Sequence, residues 1–304
     1  MRVLVTGATG FIGQRVVKEL LASGAEVNIL SRNIAKAALI MGNKCQYFQW
    51  LDTVNSLPPE SAFDGVDGVI NLMGEGIADK RWDDEQKKKI YDSRILGTRN
   101  IIEAIKKLKI RPSVLVSASA VGVYGNRENE DITEGSKLGD DFLAGVCKDW
   151  EAEAYNAKEL GLRVAIIRTG VVLGRGGGAL KRMLPIFKIG AGGPLGSGQQ
   201  FMSWIHVDDL ANMYVEILKN PAMEGPYNGT APYPATNTYF TKALGKTLKR
   251  PTFAKAPAFA LKFVFGDMSS VLLDGQKVLP RKFKEENFRY RYPTLEMALK
   301  ETAF

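Results

Sequence analysis

Short apolar runs punctuate the first half of the chain, at residues 3–5, 27–30, 47–50, 68–72, 114–116 and 164–167. Between them lie longer stretches with helical spacing, at 11–22, 84–108 and 138–160. Brief, continuously apolar strands alternating with amphipathic helices are the pattern of a parallel sheet covered on both faces. In the second of these stretches Ile90, Ile95, Ile101, Ile102 and Ile105 fall largely on one face, and Asp83 or Asp84 is placed to cap its start. Right-handed crossovers wind such strands into a doubly wound sheet, so the expected fold class is α/β of Rossmann type.

Beyond Gly170 the pattern loosens. Residues 174–198 hold nine glycines, and ten prolines between Pro185 and Pro293 interrupt the rest of the chain. The expectation is a nucleotide-binding domain over residues 1–170 and a smaller, irregular substrate-binding region over 171–304, with parts of 200–230 returning to the first domain. Two or three helices are expected in that region, the clearest at 207–218 and 236–248. The aromatic, basic tail at 283–292 reads as packing onto the body.

The strongest local signal is VLVTGATGFIG at residues 3–13, a strand running into Gly7, Gly10 and Gly13 with a helix opening at Phe11. Gly7 permits a tight turn, Gly10 lets backbone approach a pyrophosphate, and Gly13 allows close packing of helix on strand. The helix N-terminus, with Thr9, Phe11 and Ile12 around it, offers free N–H groups and positive potential to an anion. The end of the second strand tells one dinucleotide from another. A carboxylate there would hold the ribose hydroxyls of NAD, but Ser31 and Arg32 stand in its place. A hydroxyl and a guanidinium suit a 2'-phosphate, so NADP(H) is the expected cofactor. Loops after the third and fourth strands add Leu51, Asp52, Met73 and Gly74 to the adenosine side.

Composition adds limits. Hydrophobic residues make up 45% and charged residues 24%, an ordinary globular balance. No run reaches the roughly 18 apolar residues of a membrane span, and the first strand begins at Arg2, so a cytosolic protein with no membrane partner is expected. Cys45 and Cys147 stand far apart without histidine companions, which gives neither a disulfide framework nor a metal site. The net charge of +8 is spread along the chain, its densest run being Lys87–Lys88–Lys89 inside a helix. With no nucleic-acid-binding signature beside it, that charge fits a small anionic ligand better than nucleic acid.

These motifs carry a resemblance. TGATGFIG, NLMG at 71–74, SASAVGVYG at 117–125 and WIHVDDL at 204–210 resemble the extended short-chain dehydrogenases/reductases. More narrowly, KRW with SRILGT, CKDWEAEA, RTGVVLGRGGGAL, YNGTAPYPATN and LPRKF resemble an atypical epimerase-family subgroup, whose members are labelled nucleoside-diphosphate-sugar epimerases or cell-division inhibitors. The resemblance implies an oxidoreductase or epimerase-like activity on a small carbonyl or nucleotide-sugar substrate. It also implies a serine from the fifth strand, matched by Ser119, and a Tyr–Lys pair on the next helix. That pair is missing. With Glu151 aligned to the family's glutamate, the tyrosine position holds Leu143 and the lysine position Cys147, with Lys148 one residue and about 100° of helix away.

Ser119, Lys148 and Arg94 are therefore the candidate catalytic residues, Arg94 as a clamp on an anionic oxygen. Tyr124 and the lone His206 read as structural. The glycine-rich loop reads equally as a phosphate cradle or as a mobile lid. Without the Tyr–Lys pair, a catalytically poor NADP(H)-binding sensor or scaffold stands as the alternative to an enzyme.

Overall fold

The computed structural model describes residues 1–303. Its centre is a sheet of seven parallel strands: β1 (Arg2–Thr6), β2 (Glu26–Ser31), β3 (Cys45–Gln49), β4 (Gly68–Asn71), β5 (Val114–Ala120), β6 (Arg163–Thr169) and β7 (Gly225–Gly229). Their spatial order is β7-β6-β5-β4-β1-β2-β3. The chain winds outward one way from β1 to β3 and the other way from β4 to β7, so the order reverses between β1 and β4. A doubly wound sheet binds its ligand at the carboxyl ends of the strands at that reversal.

Both faces of the sheet are covered, which explains the unbroken apolar runs. Val3, Val5, Ile29 and Ile70 point into one core with Val16, Val17, Leu210 and Tyr214. Leu4, Leu30, Val69 and Leu115 point into the other with Ile101, Ile102 and Ile105. The first core lies under helices α1 (Phe11–Ala22) and α6 (Val207–Lys219), which pack on each other. The second lies under α3 (Asp84–Lys107) and α4 (Phe142–Tyr155). Between these in sequence come α2 (Ile34–Met41) and α5 (Gly178–Lys188).

Several elements depart from the sequence expectation. The helix expected over 138–160 begins only after Asp141, whose carboxylate accepts a hydrogen bond from the Ala144 N–H and so caps α4. From Asn156 to Leu160 it tightens to a 3-10 turn that ends at Gly161 in a left-handed conformation. The later region holds more helix than expected, with α5 and short helices at Ala258–Phe265 and Leu295–Thr302 joining α6 and α7 (Asn237–Leu248). Strand β7 has the sequence GPYNG, without an apolar run. It pairs along β6 from Gly225↔Ala165 to Gly229↔Thr169, so chain beyond residue 220 completes the main sheet.

The aromatic tail packs as expected. Phe283 is fully buried between Tyr227 and Phe288, each ring about 5.1 Å away. The lysine run lies on the solvent face of α3, where Lys87 pairs with Asp267, Lys88 with Asp92 and Lys89 with Glu85. No helix among the described residues is long and apolar enough to cross a membrane. Nor do histidine, cysteine and acidic side chains cluster there as a metal site.

Candidate functional site

The turn after β1 fits a dinucleotide diphosphate. Gly7 has φ +65°, and a Cβ there would lie 2.6 Å from the Leu72 carbonyl oxygen on the adjacent β4 loop. At Gly13 a Cβ would fall 2.2 Å from the Gly7 carbonyl oxygen, inside van der Waals contact, so α1 can seat this close only on glycine. No side chain caps the first turn of α1, whose Ncap is Gly10. Its N–H groups are thus left for an external anion.

The glycine-rich segment is packed against this same turn. A Cβ at Gly177 would lie 2.2 Å from Cδ2 of Phe11, and Gly174 and Gly178 also close on that ring. Beside it runs a groove of about 1470 Å³ along the outer face of α1, lined among others by Arg15, Lys18, Lys44, Arg175, Lys181 and Arg182. Three of its cations are engaged in ion pairs, Arg182 with Asp79 at 2.6 Å, Arg175 with Glu301 at 3.6 Å and Arg15 with Asp208 at 3.7 Å.

At the end of β2, Ser31 Oγ accepts the Asn33 N–H at 3.2 Å and begins the turn into α2. Arg32 is exposed. Among the described residues no carboxylate pairs with its guanidinium, which is what a phosphate-binding position requires. Leu51 is also exposed. Asp52 accepts the Val54 and Asn55 N–H groups, and these bonds with the Asn55 side chain hold its carboxyl below the usual range. Its side chain is thereby committed to shaping the loop. Met73 packs on Gly97 of α3, and Gly74 lies against the guanidinium of Arg94.

Below the reversal point runs a buried polar chain. Thr6 Oγ1 donates to Asn71 Oδ1 at 2.7 Å, Asn71 Nδ2 donates to Thr98 Oγ1 at 2.9 Å, and Trp150 Nε1 donates to the same oxygen at 3.0 Å. These bonds tie β1, β4, α3 and α4 into one frame.

Ser119 sits at the end of β5, almost wholly buried, and its Oγ donates to Glu151 Oε1 at 2.7 Å. Glu151 is in turn held by Arg168, through Nε to Oε1 at 2.9 Å and Nη2 to Oε2 at 2.8 Å, with both side chains 6% exposed. Arg168 Nη1 donates to the Tyr124 hydroxyl at 2.9 Å, and that hydroxyl donates to Asn228 Oδ1 at 2.7 Å. Tyr124 is fully buried within this lattice, where burial raises its pKa above the ordinary value. It is a structural tyrosine. Sequence reasoning passed over Arg168, although an arginine inside an apolar strand must find a buried acid, and that signal was available.

Cys147 lies beside Ser119, and burial pushes its thiol up to about 11. Leu143 packs against an apolar cluster of Trp82, Ile90, Val146 and Trp150. Lys148, one residue on from Cys147, is half-buried and makes no hydrogen bond or ion pair among the described residues. The guanidinium of Arg94 stacks over the Trp150 ring at 5.2 Å, and its Nη1 donates to the Ile90 carbonyl at 3.0 Å. Burial lowers its pKa, while Cys147 and Glu75 act to keep its charge. Ser93 steadies the adjoining loop by accepting the Glu75 N–H at 3.0 Å.

His206 belongs to a different set of contacts, among them Glu301 Oε2 at 3.3 Å from its Nε2. It is 1% exposed, accepts the Asp208 N–H at the start of α6, and stacks on Tyr292 at 3.9 Å between ring centres. That environment gives it a packing and capping role.

Comparison with known proteins agrees with this arrangement. Residues 3–229 match the model of the NAD dependent epimerase/dehydratase family, and residues 256–302 match a domain of unknown function, DUF1731. The chain is 45% identical over 302 residues to the chloroplastic epimerase family protein SDR39U1 homolog of Arabidopsis thaliana, covering 99% of this chain and 86% of that one. Among solved structures it is similar to human epimerase family protein SDR39U1 (isoform 2) with NADPH, at 36% identity and a TM-score of 0.87, covering 100% of this chain and 99% of that one. UDP-glucuronic acid 4-epimerase from Bacillus cereus shares the fold at 18% identity and a TM-score of 0.81, covering 100% of this chain and 98% of that one. With the glycine turn, the strand order and the matched span in agreement, the chain belongs to the NAD dependent epimerase/dehydratase family.

Proposed function

We propose that this protein is an NADP(H)-dependent oxidoreductase or epimerase-like enzyme acting on a small carbonyl or sugar-like substrate. The observation that carries the reading is the pairing of the uncapped α1 N-terminus, behind Gly7 and Gly13, with an exposed Arg32, without an acidic partner among the described residues, where an NAD-binding chain would place an acid. The similarity to a human protein solved with NADPH supports the same cofactor.

In this reading the α1 N–H groups hold the diphosphate, Ser31 and Arg32 take the 2'-phosphate, and Leu51, Asp52, Met73 and Gly74 border the adenosine. Bound there, the cofactor supplies or accepts a hydride. Ser119 is assigned to the substrate side; because its O–H donates a hydrogen bond to Glu151, its oxygen is left as an acceptor for a substrate hydroxyl. Lys148 is the candidate cation from α4. Residues 1–170 with parts of 200–230, namely α6 and β7, make the cofactor domain, and the remainder of 171–304 borders the substrate.

A second reading, an NADP(H)-binding sensor with little turnover, is favoured by Leu143 and Cys147 at the positions where the wider family carries tyrosine and lysine. The Cys147 thiol, with its pKa near 11, makes a poor proton acceptor at neutral pH. Following nicotinamide absorbance with purified protein, NADPH and a panel of carbonyl and nucleotide-sugar compounds separates the two. Turnover on any of them supports the enzyme; tight NADPH binding with none supports the sensor.

A further inference from the structure

We propose that Arg94 is the anchor of a subsite for a carboxylate group on the substrate. The inference rests on the enzyme reading above and narrows its substrate class to small organic acids. Arg94 rises from α3 at the carboxyl end of β4, with its guanidinium close to Gly74 and 5.2 Å from the centre of the Trp150 ring. A guanidinium packed in this way can offer its edge, where it donates a parallel pair of hydrogen bonds.

Few of those donors are in use. Nη1 bonds the Ile90 carbonyl, while Nε and Nη2 have no partner among the described residues. Glu75 and Cys147 lie within electrostatic reach, but neither Glu75 nor any other described carboxylate comes within ion-pair distance of the guanidinium. Two other arginines are desolvated: Arg163 donates to the Met223 and Leu218 carbonyls, whereas Arg168 finds an acid. Arg168 meets Glu151 through two bonds of 2.9 and 2.8 Å and spends Nη1 on Tyr124 and the Glu134 carbonyl. The fold therefore pairs Arg168 with an acid and leaves Arg94 with open donors. The free nitrogens of Arg94 are also absent from the sealed, unpartnered polar atoms of the interior, which among the described residues are Asn28 Oδ1, Tyr214 Oη and Thr241 Oγ1. Arg94 is only partly buried, so these nitrogens are not sealed from solvent.

The surroundings select the anion. Trp150 belongs to an apolar cluster with Trp82, Ile90, Ile95 and Val146, and Leu143 packs against it. One guanidinium edge in apolar company matches a planar monoanion with a small carbon body. A phosphate dianion would call for further cations or N–H groups of the kind found at the α1 N-terminus.

Calorimetric titration of NADPH-saturated protein with oxamate, its uncharged diamide oxamide, and inorganic phosphate tests this directly. Oxamate is expected to bind the wild type, oxamide not to bind, and phosphate to bind at least tenfold more weakly than oxamate. Arg94→Met should weaken oxamate tenfold or more, in line with the loss of a charge-assisted pair, and Arg94→Lys should fall between. NADPH affinity and Tm, measured on the same samples, should stay within about threefold and a few degrees of wild type for Arg94→Lys. Equal oxamate binding by wild type and Arg94→Met, no oxamate binding by the NADPH-loaded wild type, or a preference for phosphate would each overturn the subsite. So would loss of NADPH affinity in Arg94→Lys, because Arg94 would then belong to the cofactor. Failure of the wild type to bind NADPH is a separate result that removes the cofactor reading and this one with it.

Discussion

Replacing Glu151 with glutamine tests the frame on which Ser119 rests. The carboxylate accepts three bonds, from Ser119 Oγ at 2.7 Å and from Arg168 at 2.9 and 2.8 Å, with both charged side chains 6% exposed. Glutamine keeps the shape but removes the charge, and in either orientation its amide nitrogen faces an N–H of Arg168. Arg168 would then be a buried, uncompensated cation, a loss of about 3–5 kcal/mol. For a chain of this length each kcal/mol shifts Tm by about 2–4 °C, so Glu151→Gln should melt on the order of 6–20 °C below wild type. Arg168→Met should lose a comparable amount by stranding the acid. The double variant should lose clearly less than the sum of the singles, since removing both charges abolishes the desolvation penalty. Calorimetry on the four proteins of the cycle gives the coupling. A single variant within about 2 °C of wild type, or strictly additive losses, would show that the pair is not coupled in this way.

Gly13→Ala should abolish measurable NADPH binding and lower Tm, because its Cβ would meet the Gly7 carbonyl oxygen at 2.2 Å. Gly145→Ala, with nothing within 4 Å of the added Cβ, should instead be neutral or stabilise by up to about 1 kcal/mol in thermal melts. Cys147, with a thiol pKa near 11, should carry only about a thousandth of its molecules as thiolate at pH 8. Mass spectrometry after brief exposure to iodoacetamide should therefore find native Cys147 unmodified, with labelling appearing on denaturation. Rapid labelling of the folded protein would contradict the buried environment assigned to it.

The strands β1 to β6 and helices α1, α3 and α6 were legible because each carries a local signal, an apolar run or a one-sided stripe closed by a cap. Strand β7 was not. Its GPYNG owes its strand state to the open edge of β6, a tertiary cause that no local window contains. Helix α5 was hidden in a similar way. Its glycines and Pro185 read as loop, yet Gly174, Gly177 and Gly178 are small because the Phe11 ring occupies the space. The cofactor turn was readable from spacing because backbone geometry alone dictates it. The frame around Ser119 was not, since Glu151, Arg168 and Tyr124 come from α4, β6 and the turn after β5 and meet only in the folded chain.

Every role proposed for these residues depends on NADPH as the cofactor, and a fluorescence titration of wild type and Arg32→Asp with NADPH and NADH tests that choice. Wild type should bind NADPH at least tenfold more tightly than NADH, the worth of a charge-assisted contact to the 2'-phosphate. Arg32→Asp should lose that preference by weakening NADPH while leaving NADH nearly unchanged. Equal affinity for the two cofactors in the wild type, or unaltered NADPH affinity in Arg32→Asp, would contradict the assignment.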